Sequence, residues 1–193
     1  MRLSAALATR SESRIGVALA EAVQDGEPGQ VEEALLQSYL FLGYPAALNG
    51  FRLWRDVSGR PAPPPNPEAP MSWEDRGPDV CKTVYAGQYE QLRANIRGLH
   101  PDMERWMIVE GYGKVLGRPG LSLEMRELCI VAMLAVLNAP RQLYSHLRGA
   151  LNAGADLAGV DAALGEAEHF AGPAAAAVAT QVWREVLERR PRG

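Results

Sequence analysis

Cysteine, histidine, lysine, isoleucine and phenylalanine are all scarce in this 193-residue chain, and the scarcity of several of them removes classes of function. Two cysteines, Cys81 and Cys129, cannot build a disulfide framework or a four-cysteine zinc site. Three histidines, His100, His146 and His169, show no zinc-ligand spacing. With 20 Lys+Arg against 23 Asp+Glu the net charge is −3, which leaves no basic excess for a phosphate backbone. Every apolar run falls short of the ~20 residues that a membrane span needs. The stretch Leu3–Ala8 is too short for a signal-peptide core, and Arg10, Glu12 and Arg14 follow at once. Neither a Gly-x-Gly-x-x-Gly nor a Walker pattern occurs, so nucleotide binding has no support. The expectation is a cytoplasmic protein that uses neither nucleic acid nor membrane, with no metal and no cofactor indicated.

What the chain does hold is alanine. Of its residues 47% are hydrophobic, and these include 29 alanines against four isoleucines and three phenylalanines. Alanine is the best helix former and β-branched residues favour strands, so the fold class is all-α. The length suits a single globular domain, whether undivided or built from two halves. Apolar spacing predicts helices over residues 3–24, 30–42 and 45–57. From Gly59 to Pro70 six prolines fall in twelve residues, which excludes helix and central strand. An extended connector through Gly77 is expected, a peptide ligand for another module being the other reading. Helices follow over 79–97, 101–113, 123–138, 140–153, 158–170 and 173–189, with Ser122 capping the one that opens at 123. The organisation is therefore an N-terminal helical repeat over 1–58, a Pro-rich linker over 59–77 and a C-terminal helical region over 78–193.

The two ends resemble each other. Ser13 to Leu19 can be laid over Ser145 to Leu151, then Val31-Glu32-Glu33-Ala34-Leu35 over Val160-Asp161-Ala162-Ala163-Leu164. Gly43-Tyr44-Pro45-Ala46-Ala47 matches Gly172-Pro173-Ala174-Ala175, and Trp54 falls near the place of Trp183. A three-helix unit used twice is the reading. In this register Arg14 stands where His146 stands, and the 123–138 helix has no counterpart in the first copy. Any site that needs both elements occurs once per chain.

The chemistry-bearing residues lie in the second copy. Gln142 and His146 are spaced i, i+4 and share a helix face. Glu127 is on the preceding helix, and a short turn at Pro140 can bring it opposite His146. A carboxylate facing an imidazole fixes the tautomer and raises its basicity, as general acid–base work requires. The same pair can also serve only to hold two helices together. Glu166-Ala167-Glu168-His169 has a di-iron spacing, but such sites need it twice, and the matching Gln37 to Leu40 stretch has no ligands.

Three further groups of residues carry a family resemblance. They are Glu32 to Gln37, Tyr112-Gly113-Lys114-Val115-Leu116-Gly117-Arg118-Pro119-Gly120-Leu121, and Arg126-Glu127-Leu128 followed by Gln142 to Gly154. In this the chain resembles the carboxymuconolactone decarboxylase family of the alkylhydroperoxidase D-like superfamily. The resemblance implies an all-helical fold that forms homo-oligomers, trimers or hexamers, with sites close to subunit contacts. Peroxidase members carry a Cys-x-x-Cys pair before the histidine; here those positions are Ala139 and Gln142. Peroxide reduction by that route needs a thiolate and a resolving thiol, which leaves Cys129 as the remaining candidate for an antioxidant role. Decarboxylase members act on a small carboxylated lactone without a cofactor. For that branch the resemblance implies His146 and Glu127 as the catalytic pair, with Gln142 shaping the pocket. Tyr112, Arg118, Arg126 and Arg148 are candidates to hold the carboxylate or lactone oxygens of a small carboxylic acid. A non-catalytic oligomer or small-molecule-binding protein remains the third expectation.

Overall fold

The computed structural model describes residues 1–65 and 70–190, and every regular element among them is helical. The first helix expected from the sequence is two: α1 (Arg2–Ala8) and α2 (Glu12–Asp25). Between them Arg10 takes φ +57°, while the Thr9 hydroxyl donates to the Ala6 carbonyl and accepts from the Ser11 N–H. Then come α3 (Pro28–Leu42) and α4 (Tyr44–Ser58), each with proline in its first turn, where the missing N–H is not needed.

The extended connector does not reach Gly77. Helix α5 (Pro70–Tyr85) already begins at Pro70, and residues 66–69 of the Pro-rich stretch lie outside the described residues. The helix expected over 79–97 is also broken, by a 3₁₀ turn at Ala86–Gln88 that leads into α6 (Tyr89–Leu99). Helix α7 (Pro101–Trp106) continues without interruption into a π-helical segment, Met107–Leu116. This wider segment lies directly on α5. A Cβ on Gly113 would sit 2.1 Å from the Trp73 carbonyl oxygen, so only glycine allows the two backbones to meet. Arg76 clamps the crossing by donating from Nε to the Gly113 carbonyl.

Helix α8 (Leu123–Val136) is capped as expected, the Ser122 hydroxyl accepting from the Met125 N–H at 3.2 Å. All residues from Arg126 to Ala135 are buried, which marks α8 as the central helix. It is surrounded by α1, α3, α9 (Pro140–Asn152), α10 (Leu157–Glu168) and α11 (Pro173–Glu188). Trp54, Leu7, Leu19, Leu35, Ile130, Met133 and Leu147 are fully enclosed between these elements.

The duplication is visible in packing and bonding alike. Trp54 Nε1 donates to Glu32 at 3.1 Å, and Trp183 Nε1 donates to Asp161 at 2.8 Å, each partner 22 residues earlier. The turn before α2 repeats before α9: Asn138 takes φ +53°, matching Arg10, and its N–H bonds Ala135 as that of Arg10 bonds Leu7. Aligning these turns pairs the buried residues Ile15, Ala18 and Leu19 of α2 with Leu143, His146 and Leu147 of α9. Two expectations are thereby corrected. Ala18, not Arg14, stands in the place of His146; Arg14 is exposed and bonds the Phe170 carbonyl. And α8 does have a counterpart, the short α1, which corresponds to its C-terminal half and does not reach the level of Glu127.

Candidate active site

Glu127 and His146 meet in the interior. Glu127 sits on the second turn of α8 and His146 midway along α9, two helices packed side by side across the Leu137-Asn138-Ala139 turn. The Nδ1–Oε2 distance is 2.8 Å, with Glu127 fully buried and His146 only 7% exposed. With Glu127 ionised, Nδ1–H donates to it, and Nε2 is the nitrogen left for other work. The second oxygen, Glu127 Oε1, is buried without a hydrogen-bond partner.

Close packing enforces the pair. A Cβ on Gly149, one turn beyond His146, would fall 2.8 Å from Glu127 Oε2 and 2.7 Å from Val84 Cγ1, so the carboxylate occupies the space a side chain would take. The imidazole is walled on another side by Phe41 of α3, whose ring meets it edge-on at 5.6 Å and 81°. The first copy thus supplies an aromatic wall to a pair that belongs to the second. On the α5 side, Tyr85 and Tyr112 stack edge to face at 6.1 Å. Burial pushes the Tyr85 hydroxyl up to about 12 and Tyr112 well above the usual phenol range, and the Glu127 charge adds to both. Both phenols therefore stay protonated at neutral pH.

The other expected site residues divide. Gln142 lies one turn before His146 and is exposed. Tyr112 lies on the π-helical segment, buried beside this pair. Arg118 and Arg126 are elsewhere: both converge on Glu33 of α3, at 3.0 and 2.8 Å. Arg126 is fully buried and also donates to the carbonyls of Arg118, Pro119 and Leu121, so it ties the turn before α8 to α3. These two guanidiniums neutralise an internal glutamate, and the structure does not bring them to His146. Arg148 is exposed on the far side of α9, 5.9 Å over the Tyr144 ring.

Both cysteines are free and buried, and burial pushes the Cys81 thiol up to about 12. Glu166 of the Glu-x-x-His stretch is bonded to Arg2 at 3.1 Å. Among the described residues no three His, Cys, Asp or Glu side chains come together as metal ligands. No described helix is long and apolar enough to cross a membrane. Three residues of this neighbourhood were not singled out from the sequence: Phe41, Tyr85 and Gly149. The glycine had a legible signal, since it follows His146 by three positions and so falls on the same helix face. The other two come from α3 and α5, and only the tertiary packing brings them here.

A search among curated proteins finds no match. The segment from α7 through α11, residues 101–185, which includes both Glu127 and His146, matches the carboxymuconolactone decarboxylase family.

Proposed function

We propose that the protein is a cofactor-independent decarboxylase of a small carboxylated lactone or related acid, with His146 as proton donor and Glu127 as the residue that orients it. The observation that carries this reading is the buried 2.8 Å contact between Glu127 and His146 in the region that matches the family. In the reaction the C–C bond to the leaving carboxylate breaks, and its electron pair delocalises into the conjugated lactone. Carbon dioxide departs, and the ring carbon takes a proton from the imidazolium of His146. Glu127 stabilises that imidazolium and fixes its ring plane, and solvent then restores the proton. Enclosure by Phe41 and the helix walls favours loss of charge from the carboxylate, because a low-polarity site disfavours the charged ground state. Gln142, exposed one turn before His146 on the same helix, is the residue we assign to the outer end of the substrate.

The antioxidant alternative has less support. A peroxidatic cysteine must be a thiolate, whereas the Cys81 thiol is pushed the other way by burial and Cys129 is 2% exposed. The test is turnover of carboxymuconolactone, followed by carbon dioxide release. Replacing His146 with Gln should lower kcat by about 10²–10⁴-fold, the usual contribution of a general acid, while the unfolding transition stays cooperative. Retained turnover in that variant removes His146 from the mechanism. If the wild type is inert and Glu127→Ala mainly lowers the Tm, the pair is structural.

A further inference from the structure

The face of α9 opposite His146 borders a different space. Between it, the end of α5 and α6 lies a cleft of about 160 Å³, with Val84, Tyr85, Leu92, Asn95, Tyr144 and Arg148 among its walls. Neither Glu127 nor His146 lines it. We propose that this cleft is a binding site for a small carboxylate carried on a single five- or six-membered ring.

Charge is the first argument. The chain has 23 acidic residues, yet none of those described lines this cleft, and Arg148 is its one charged wall residue among the described residues. Arg148 makes no ion pair with a described carboxylate; it is held over the Tyr144 ring at 5.9 Å, and Arg189 approaches the same ring at 5.7 Å. A guanidinium held over a ring by its charge, with no carboxylate partner, has N–H groups available for a bidentate carboxylate. The amide chemistry agrees: Asn95 Oδ1 already accepts from Gln91 Nε2 at 2.8 Å, so the group that Asn95 still has to offer at this wall is a donor.

Size and wall chemistry define the rest of the ligand. Val84, Leu92 and the two tyrosine rings are apolar surfaces, and 160 Å³ is close to the ~150 Å³ engineered cavity that accepts benzene. One ring fits, with its carboxylate at the Arg148 end. The backbone is also constrained at this spot. Ala86, directly after Tyr85, takes φ +48°, a left-handed conformation that an alanine adopts only at a cost. That residue opens the turn between α5 and α6, the two elements that form the wall facing α9.

Calorimetric titration of the full chain with benzoate, and with benzamide as its neutral counterpart, tests this. Benzoate should bind saturably and benzamide about tenfold more weakly, the equivalent of one lost charge-assisted contact. Arg148→Gln should bring benzoate down to the benzamide level. Leu92→Trp should fill the cleft and abolish binding of both; should that variant melt early, Ser145→Phe blocks the same space from α9. Equal affinity for the two probes, absence of saturation, or benzoate binding untouched by Arg148→Gln and by the filled cleft would each overturn the proposal. The readout is binding, so a failed decarboxylase assay leaves it standing and its own failure leaves that assay standing.

Discussion

The first copy of the repeat, α1 to α4, and the second, α8 to α11, share a framework and differ in what they bury. Each has a helix ended by a left-handed non-glycine residue, Arg10 or Asn138, and a tryptophan bonded to an acid 22 residues earlier. At the position where the second copy buries His146, the first buries Ala18. The central helix is seven residues in one copy and fourteen in the other, and Glu127 lies on the portion that the shorter one lacks. The polar pair is therefore an addition to a scaffold that closes without it. That is the pattern of a site placed on a fold rather than required by it. The first copy is not idle, since Phe41 and Glu33 of α3 brace the second through His146 and through Arg118 with Arg126.

The strongest way to break the equivalence is at the paired tryptophans. Trp54 is fully buried and Trp183 is 8% exposed. Trp54→Ala should cost about 4 kcal/mol and Trp183→Ala about 3 kcal/mol, within the range for removing a large buried aromatic. Urea unfolding measures both. A larger loss at Trp183 would mean that the second copy carries more of the core than the matched geometry implies.

A smaller effect is expected from making the first copy imitate the second. Ala18 is 3% exposed and borders a cleft of about 440 Å³ whose walls include Glu21 and Glu166, so Ala18→His puts an imidazole beside two acids that Arg2 already holds. The expected loss is about 1 kcal/mol, from taking the imidazole out of water and disturbing that ion pair. It should be accompanied by no gain in turnover. If the variant were as stable as the parent, Glu21 or Glu166 would have to accept the new imidazole as His146 is accepted by Glu127, and the asymmetry between the copies would lie only in the sequence.

How far the fold is legible in the sequence depends on which landmarks a repeat offers. The second and third helices of each copy align correctly, because Gly-Pro-Ala breaks and tryptophans are landmarks that cannot slide. The first helix comes out displaced by one turn, with Ser13 over Ser145. A slip of four residues in a helix keeps the same face inward, so an apolar pattern cannot detect it. The landmark that fixes the register is the left-handed residue, and the match is hidden in sequence because Asn138 is a residue type that favours that conformation while Arg10 is not. The start of α5 is obscured for a related reason: Pro70 and Pro78 read as breakers, whereas one opens the helix and the other is held inside it. Of the candidate site, Glu127, His146 and Tyr112 are legible from spacing and resemblance. The arginines are not, since a guanidinium that anchors a ligand and one that neutralises Glu33 look the same in a sequence.

The gentlest test uses those turns. A left-handed backbone strains most side chains, while asparagine tolerates it and glycine adopts it freely. Arg10→Gly should therefore stabilise the protein by about 1 kcal/mol, less the added freedom of the unfolded chain, and Asn138→Gly by a few tenths at most. The difference between the two shifts in Tm is the quantity of interest. Arg10 is exposed, so its replacement removes little packing and the backbone effect dominates. If Asn138→Gly gave the larger gain, the turn before α9 would be the more strained of the two. The strain would then sit in the turn that joins the helices of Glu127 and His146, and the two turns would differ in role although they match in shape.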